Sequence, residues 1–119
     1  MVYQYSQSTG ELTQHGTLVE RGYSGFGEGK NNPEMQEVVG IGPIPQGTYI
    51  IGKAYDHAHL GPCVMNLDPV KGSETFGRSA FRLHGDNKTH DASHGCIIMG
   101  PATRHKVALS SDRKLVVVA

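Results

Sequence analysis

Short alternations of apolar and polar residues recur along the chain, and this pattern is typical of half-buried β-strands. Residues 2–6 alternate, residues 8–10 have the composition of a turn, and residues 11–19 return as a second strand. The chain is therefore predicted to open with a β-hairpin. Further strands are predicted at residues 49–55, 63–67, 80–84 and 114–118.

The segments between these strands are rich in glycine and proline. Residues 22–34 and 68–78 are predicted loops, and residues 40–49 carry too many prolines and glycines to form a central strand. Proline fits the first turn of a helix, which predicts a helical turn over residues 33–38 and a helix over residues 101–109. The predicted fold class is mostly β with one short helix.

Length and composition limit the classes of function. The 119 residues are predicted to form a single domain, 1–119, and 37% hydrophobic with 18% charged residues suits a globular protein. Eleven basic residues balance eleven acidic ones, so charge gives no reason to expect nucleic acid as a partner. No run approaches the roughly 20 apolar residues of a membrane span, so no membrane insertion is expected.

The first residues lack the basic and apolar regions of a Sec signal peptide. Three explanations fit: the protein works in the cytoplasm, it is exported without a cleavable leader, or the sequence begins at a mature residue.

The chemistry of the chain is concentrated in residues 84–99, HGDNKTHDASHGCIIM. His84 ends a predicted strand, which is a rigid place for a general base. Cys96 lies just before the predicted helix, whose N-terminus is expected to lower a thiol pKa. Gly95 permits a tight turn, so the N–H groups of residues 94–96 are candidate donors to an oxyanion.

Two groups beside His84 have predicted roles. Gly85 leaves room for a substrate to approach, and either the Gly85 carbonyl or the Asp86 side chain is expected to orient the imidazole. The sequence leaves both possibilities open.

Three other interpretations compete with a nucleophilic cysteine. Cys96 fits an inert buried thiol in a non-catalytic binding domain, or one half of a disulfide with Cys63. A zinc-dependent peptidase is the third, because the segment is rich in zinc ligands. The candidate ligands are His84, Asp86, His90, Asp91, His94 and Cys96.

An H-G pair on a strand, a polar loop and an S-H-G-C turn together resemble the signature of L,D-transpeptidases of the YkuD type. The resemblance implies a YkuD-like β-sandwich or barrel, with His84 as base and Cys96 as the nucleophile that becomes acylated. Ser93, His94 and Gly95 would be the supporting turn. The twelve positions from His84 to Cys96 are fewer than in most of the family.

Motifs upstream resemble one branch, the compact L,D-transpeptidase effectors of type VI secretion. They are GYSGFGEGKNNPEMQEV, GPIPQGTYIIG, HLGP, NLDP and FGRSAFRLHGD, in order between residues 22 and 110. The resemblance implies a toxin made in the cytoplasm that attacks peptidoglycan in a rival's periplasm, as L,D-carboxypeptidase on tetrapeptide stems or in D-amino acid exchange. A secretion-apparatus component and a periplasmic immunity protein are implied partners, and no metal or cofactor is needed.

Four more residues are candidates to contact substrate. Tyr23 and Ser24 belong to a hydroxyl-bearing loop that is expected to wall the cleft. Arg78 and Arg104 are candidates to bind a stem-peptide carboxylate, for which arginine offers bidentate geometry.

Overall fold

The computed structural model describes residues 2–119 and is mostly β, as predicted, with one α-helix in that range. The strands are β1 (Val2–Ser6), β2 (Glu11–Gln14), β3 (Thr17–Arg21), β4 (Tyr23–Ser24), β5 (Gly47–Ile51), β6 (Tyr55–His57), β7 (Gly61–Pro69), β8 (Arg82–His84), β9 (Ile97–Ile98) and β10 (Lys114–Val118). The helix is α1 (Pro101–Leu109), and single 3₁₀ turns occupy Gly27–Gly29 and Pro33–Met35.

The strands follow the order β3-β2-β1-β10-β5-β7-β8-β9-β4, and β6 joins β7 at the side of this path. The pairs β1–β10 and β8–β9 are parallel, and the others are antiparallel. Strand β7 is long enough to pair with β5 near its end, with β6 near its start, and with β8 between them. Strand β7 therefore connects β5, on the side of β1 and β10, to β8, which ends at His84.

The two ends of this path meet in the chain. Strand β3 ends at Arg21 and β4 begins at Tyr23, so Gly22 alone separates the first and last strands of the order. The sheet must therefore curl until its edges lie side by side. A Cβ on Gly22 would lie 1.8 Å from the Ile98 carbonyl oxygen, a distance that excludes any side chain there.

The core fills the inside of this curled sheet. The alternation in β1 and β10 puts Tyr3, Tyr5, Leu115 and Val117 inside, all at most 2% exposed. They pack with inward side chains of the other strands and of α1: Leu12, Tyr49, Ile51, Met65, Leu67, Leu83, Ile97, Met99 and Val107.

Several predicted boundaries were wrong for identifiable reasons. The strand predicted over residues 11–19 is split, because the chain turns at His15 and Gly16, both with positive φ. The strand predicted at residues 80–84 begins only at Arg82, because Ala80 has φ +63°. Strand β5 ends at Ile51, four residues before the predicted end.

The helix over residues 101–109 and the final strand were confirmed. The turn predicted at residues 33–38 exists as a shorter 3₁₀ turn, Pro33–Met35. Within residues 2–119 no helix is long and apolar enough to cross a bilayer.

Candidate active site

His84 is the last residue of β8 and its side chain is 2% exposed. The imidazole Nδ1 lies 2.8 Å from the Gly85 carbonyl oxygen. A carbonyl only accepts hydrogen bonds, so Nδ1 carries the proton and the neutral ring keeps its lone pair on Nε2. Nε2 is therefore the atom of His84 that can act as a base.

Asp86 does not orient His84. Its Oδ1 accepts a hydrogen bond from the Tyr23 hydroxyl at 2.6 Å, and its Oδ2 lies 2.7 Å from Nδ1 of His90. Of the two orienting groups left open by the sequence, the Gly85 carbonyl makes the contact. Asp86 instead fixes the loop that follows β8.

The surroundings of His84 favour its neutral form. Burial lowers the pKa of His84, and the nearby positive charges of Arg104 and Arg82 lower it further. The hydrogen bond to Gly85 acts in the opposite direction and is outweighed.

The pairing of β8 with β9 brings Cys96, the residue directly before β9, near His84. The parallel register pairs Leu83 with Ile97 and His84 with Ile98, so Cys96 comes one position earlier, beside Arg82. Sides alternate along a strand, and strands about 4.8 Å apart rise ~3.3 Å per residue, so the two Cα atoms are about 8 Å apart.

The Cys96 thiol is oriented toward β8. Its Sγ lies 3.8 Å from the Ala80 carbonyl oxygen, and the Arg82 backbone N–H is near enough to favour the thiolate. Within residues 2–119 no hydrogen bond joins Sγ to the His84 imidazole. Catalytic hydrogen bonds are often unformed without substrate.

The prediction that a helix N-terminus lowers the pKa of the Cys96 thiol was wrong. The helix begins only at Pro101, and β9 lies between it and Cys96, so the thiol is not at the helix N-terminus. Burial raises the pKa of Cys96, while the Arg82 N–H and the charges of Arg82 and Arg78 partly oppose that effect. The resting pair is therefore a neutral thiol beside a neutral imidazole.

Ser93 builds the turn before Cys96. It is fully buried, and its Oγ donates to the Cys96 carbonyl at 2.6 Å while accepting the N–H groups of Gly25 at 2.9 Å and Gly95 at 3.2 Å. Gly95 has φ +129°, which only glycine adopts readily. Because the Gly95 N–H is engaged, the remaining candidate oxyanion donors are those of His94 and Cys96.

His94 is exposed at the mouth of the site. Its ring stacks on Phe26 with centroids 4.9 Å apart, and its Nδ1 lies 2.9 Å from the Gly40 carbonyl oxygen. These contacts connect the turn before Cys96 to the segment that precedes β5.

Arg78 differs from its predicted role. It is 7% exposed, and its terminal nitrogens donate to the carbonyls of Gln36, Pro43, Gly42 and His94 at 2.6–3.4 Å. These four acceptors occupy the hydrogens that a substrate carboxylate would need. Arg78 instead ties the 36–43 segment to the catalytic turn.

Arg104 keeps donors available. It is 8% exposed and its Nη1 donates to the Pro62 carbonyl at 2.6 Å. A Cβ on Gly85 would lie 3.0 Å from the guanidinium carbon, so the space beside Gly85 that was predicted for substrate is taken by Arg104.

Tyr23 and Ser24 are not in a flexible loop, because they form β4 and pair with β9. Ser24 is fully buried and its Oγ accepts the Ile44 N–H at 2.8 Å, which removes it from the surface that substrate can reach. The Tyr23 hydroxyl accepts the Ala92 N–H at 2.9 Å, and burial with the hydrogen bond to Asp86 raises the pKa of Tyr23 to about 12.

Two cavities meet at the end of β8. The His84 cavity, of about 280 Å³, is lined by His59, His84, Asp91 and His94 among others. The Arg104 cavity, of about 550 Å³, is lined by Glu20, Arg21, Tyr23, Asp86, Met99 and Arg104 among others. They share Leu60, Gly85 and Asp86 among their lining residues, so the two cavities are neighbours.

Two of the competing interpretations of Cys96, the disulfide and the zinc site, can be compared with the described chain. Cys63 and Cys96 are both free thiols. Within residues 2–119 no three side chains of His, Cys, Asp or Glu approach closely enough to share a metal ion.

Three further residues contribute to the site and were not predicted from the sequence. Arg82 supplies an N–H and a charge to Cys96, Phe26 stacks on His94, and Glu20 lines the Arg104 cavity. The position of Arg82 two residues before His84 was the available signal for the first, since alternate residues share a face. Nothing local in the sequence points to the other two.

Comparison with known proteins identifies the family to which this chain belongs. No curated protein matches the chain. The model of the Tlde1 domain matches residues 19–119, a range that contains β4, His84, the Ser93–Cys96 turn and α1. The chain therefore belongs to the Tlde1-domain family, a family of type VI secretion effectors.

Proposed function

We propose that this protein is a cysteine acyltransferase that attacks peptidoglycan stem peptides, as an L,D-carboxypeptidase, an L,D-transpeptidase, or both. The observation that carries the proposal is the register of the parallel pair β8–β9, which brings Cys96, the residue directly before β9, close to the end of β8, where the His84 lone pair is fixed on Nε2. A base of known tautomer two positions from a thiol is the arrangement that general-base nucleophilic catalysis requires.

The first step forms an acyl-enzyme. The Cys96 thiol gives its proton to His84 Nε2 as Sγ attacks the carbonyl carbon of the diaminopimelate residue that is linked to the terminal D-alanine. Backbone N–H groups of the Ser93–Cys96 turn hold the oxyanion. The tetrahedral intermediate collapses, the C–N bond breaks, and the D-alanine amine leaves with the proton from His84.

The second step releases the stem. Water, or the amine of another D-amino acid, gives a proton to His84 and attacks the thioester carbonyl. The C–S bond breaks and the Cys96 sulfur recovers the proton from the imidazolium. Water yields a tripeptide stem, and an amine yields an exchanged stem.

The family supports the biological setting of the proposal. A type VI secretion effector with this chemistry acts in the periplasm of a target bacterium after delivery by a secretion-apparatus component. The producing cell then needs a periplasmic immunity protein. Arg78, Ser93, His94 and Gly95 position the catalytic turn in this scheme, and Tyr23, Gly85, Asp86 and Arg104 line the cleft that holds the stem.

Mass spectrometry of muropeptides incubated with the protein tests the proposal. Tetrapeptide stems are expected to lose D-alanine, and Cys96→Ala and His84→Ala are expected to reduce the rate by at least about 10²–10⁴-fold, the usual contribution of a positioned base. Intact-protein spectra of the parent should show the acylated Cys96.

Cys63→Ala and His105→Ala are matched controls, because they remove a second thiol and an exposed histidine away from the turn. Both should retain activity. Cleavage that survives Cys96→Ala but stops with a chelator would instead indicate the zinc peptidase, and binding without cleavage would indicate the non-catalytic domain.

A further inference from the structure

The charged side chains of the Arg104 cavity are unequally paired. Arg21 makes an ion pair with Glu11 at 2.6 Å, and Asp86 is held by His90 and Tyr23. After these pairs are set aside, Arg104 and Glu20 are the charges of the cavity that lack an ionic partner within residues 2–119.

Arg104 has unused hydrogen-bonding capacity. Its Nη1 donates to Pro62, its Nε is buried without an acceptor, and in the described chain no acceptor faces Nη2. A guanidinium that is 8% exposed is costly to leave unsatisfied, and Arg104 lines a cavity large enough for a small ligand. The missing acceptor is therefore expected to come from an anionic ligand group in the cavity.

Glu20 has the opposite charge. Its two oxygens accept only the Gly100 N–H, at 3.0 and 3.1 Å, which leaves most of their lone pairs available. Glu20 and Arg104 line the same cavity, yet no ion pair within 4.0 Å joins them in residues 2–119. Both charges therefore line the cavity without neutralising each other by direct contact.

We propose that the Arg104 cavity binds the zwitterionic head of an α-amino acid, with its carboxylate on Arg104 and its ammonium on Glu20. A simple carboxylate would be repelled by Glu20 and a simple amine by Arg104, so the cavity selects a group that carries both charges. The proposal rests on the proposed function and deepens it, because this cavity shares Leu60, Gly85 and Asp86 with the cavity that His84 lines.

Two molecules of that reaction carry such a head. One is the free distal centre of diaminopimelate in the stem, and the other is the free D-amino acid that would enter by exchange. Both place an ammonium and a carboxylate on one carbon.

Isothermal titration of the Cys96→Ala protein tests binding without any need for catalysis. The probes are meso-diaminopimelate and D-alanine, compared with pimelate, which lacks the amines, and cadaverine, which lacks the carboxylates. At least one zwitterion is expected to bind, and both comparison compounds should bind at least about tenfold more weakly. Equal affinity for pimelate or cadaverine, or no zwitterion binding, would overturn the proposal.

Two variants locate the site. Arg104→Gln is expected to weaken zwitterion binding at least about tenfold, the usual cost of losing a charged hydrogen bond. Glu20→Gln keeps the shape of its side chain and is expected to weaken it by several fold, which keeps the test usable if Arg104→Gln melts early. Lys106→Gln, which removes an exposed cation from the same helix, should bind like the parent. Unchanged binding in Glu20→Gln and in a folded Arg104→Gln would contradict the assignment.

Activity assays on the protein with Cys96 intact then distinguish the two possible ligands, the incoming D-amino acid and the distal centre of diaminopimelate. If the cavity holds the incoming amino acid, Glu20→Gln lowers D-amino acid exchange and leaves hydrolysis unchanged. If it holds the distal centre of diaminopimelate, both rates fall together and stems that carry lysine in its place react poorly. Loss of neither rate in a variant that fails to bind would show that the cavity serves no part of the reaction.

Discussion

At the scale of single residues, the two proposed catalytic groups, His84 and Cys96, are both uncharged in the resting protein. Burial lowers the pKa of His84 and raises that of Cys96, so both shifts oppose a resting thiolate–imidazolium pair. The sequence predicted a lowered pKa for the Cys96 thiol. The thiolate must instead form during the attack, as His84 removes the proton. His84 acts first as general base and then as general acid.

This pairing predicts an unusual pH dependence. Activity needs neutral His84, so the acid limb of kcat/KM should lie below 6.5, the ordinary value for histidine. Alkylation of Cys96 by iodoacetamide should be slow at neutral pH and should still be rising at pH 9.0, the ordinary pKa of the thiol, without reaching a plateau. A stopped-flow pH series measures both.

In that series, the Cys63→Ala protein isolates the signal of Cys96. Rapid alkylation near pH 6 would show a preformed thiolate and contradict the neutral pair.

The role of a single residue was predictable from the sequence where its residue type suits only a few roles. The pattern of the S-H-G-C turn was enough to nominate His84 and Cys96, and the left-handed φ of Gly95 agrees with the predicted tight turn. The sequence was silent about partners. Nothing local shows that Arg78 donates to four carbonyls or that Asp86 accepts from Tyr23 and does not contact His84, because those partners come from distant segments.

At the scale of elements, the Ser93 hydroxyl makes three of the hydrogen bonds that hold the Ser93–Cys96 turn. Ser93→Ala leaves three buried main-chain groups without their partner, at a cost of about 1–3 kcal/mol. Because the turn also places Cys96, activity per folded molecule should fall at least about tenfold. Thermal melting and muropeptide assays measure the two effects.

Ser24→Ala is the matched control for this prediction. It also removes a fully buried hydroxyl, but one that bonds Ile44 outside the turn. It should lower stability and keep the specific activity. Equal losses of activity in both variants would mean that Ser93 acts only on the fold.

Elements were predictable when they were long enough to show a period. The final strand and α1 span five and nine residues and were found. Strands β4 and β9 have two residues each, too few for any alternation, and they exist because they pair with each other and with β8. These two short strands position the site, because β9 pairs with the strand that ends at His84 and directly follows Cys96.

At the scale of the molecule, the sheet closes through Gly22. Gly22→Ala puts a methyl group against the Ile98 carbonyl and should cost about 1–3 kcal/mol or more, since neighbouring main chain cannot move aside cheaply. Differential scanning calorimetry should show a lowered Tm. The activity should fall as well, because β4 and β9 meet at this point.

Gly16→Ala separates crowding from strain. Gly16 has φ +76° and open space around it, so the variant has only the backbone cost, about 1–2 kcal/mol, and should keep its specific activity. A smaller loss of stability at Gly22 than at Gly16 would contradict the closure.

The contact between His84 and the Gly85 carbonyl has a consequence for genetics. The group that fixes the tautomer of the base belongs to the main chain, so no codon change deletes it. A mutational scan of this site would recover two essential side chains and overlook the third participant. Its contribution would become visible only by chemical synthesis, with an ester or thioamide in place of that peptide group.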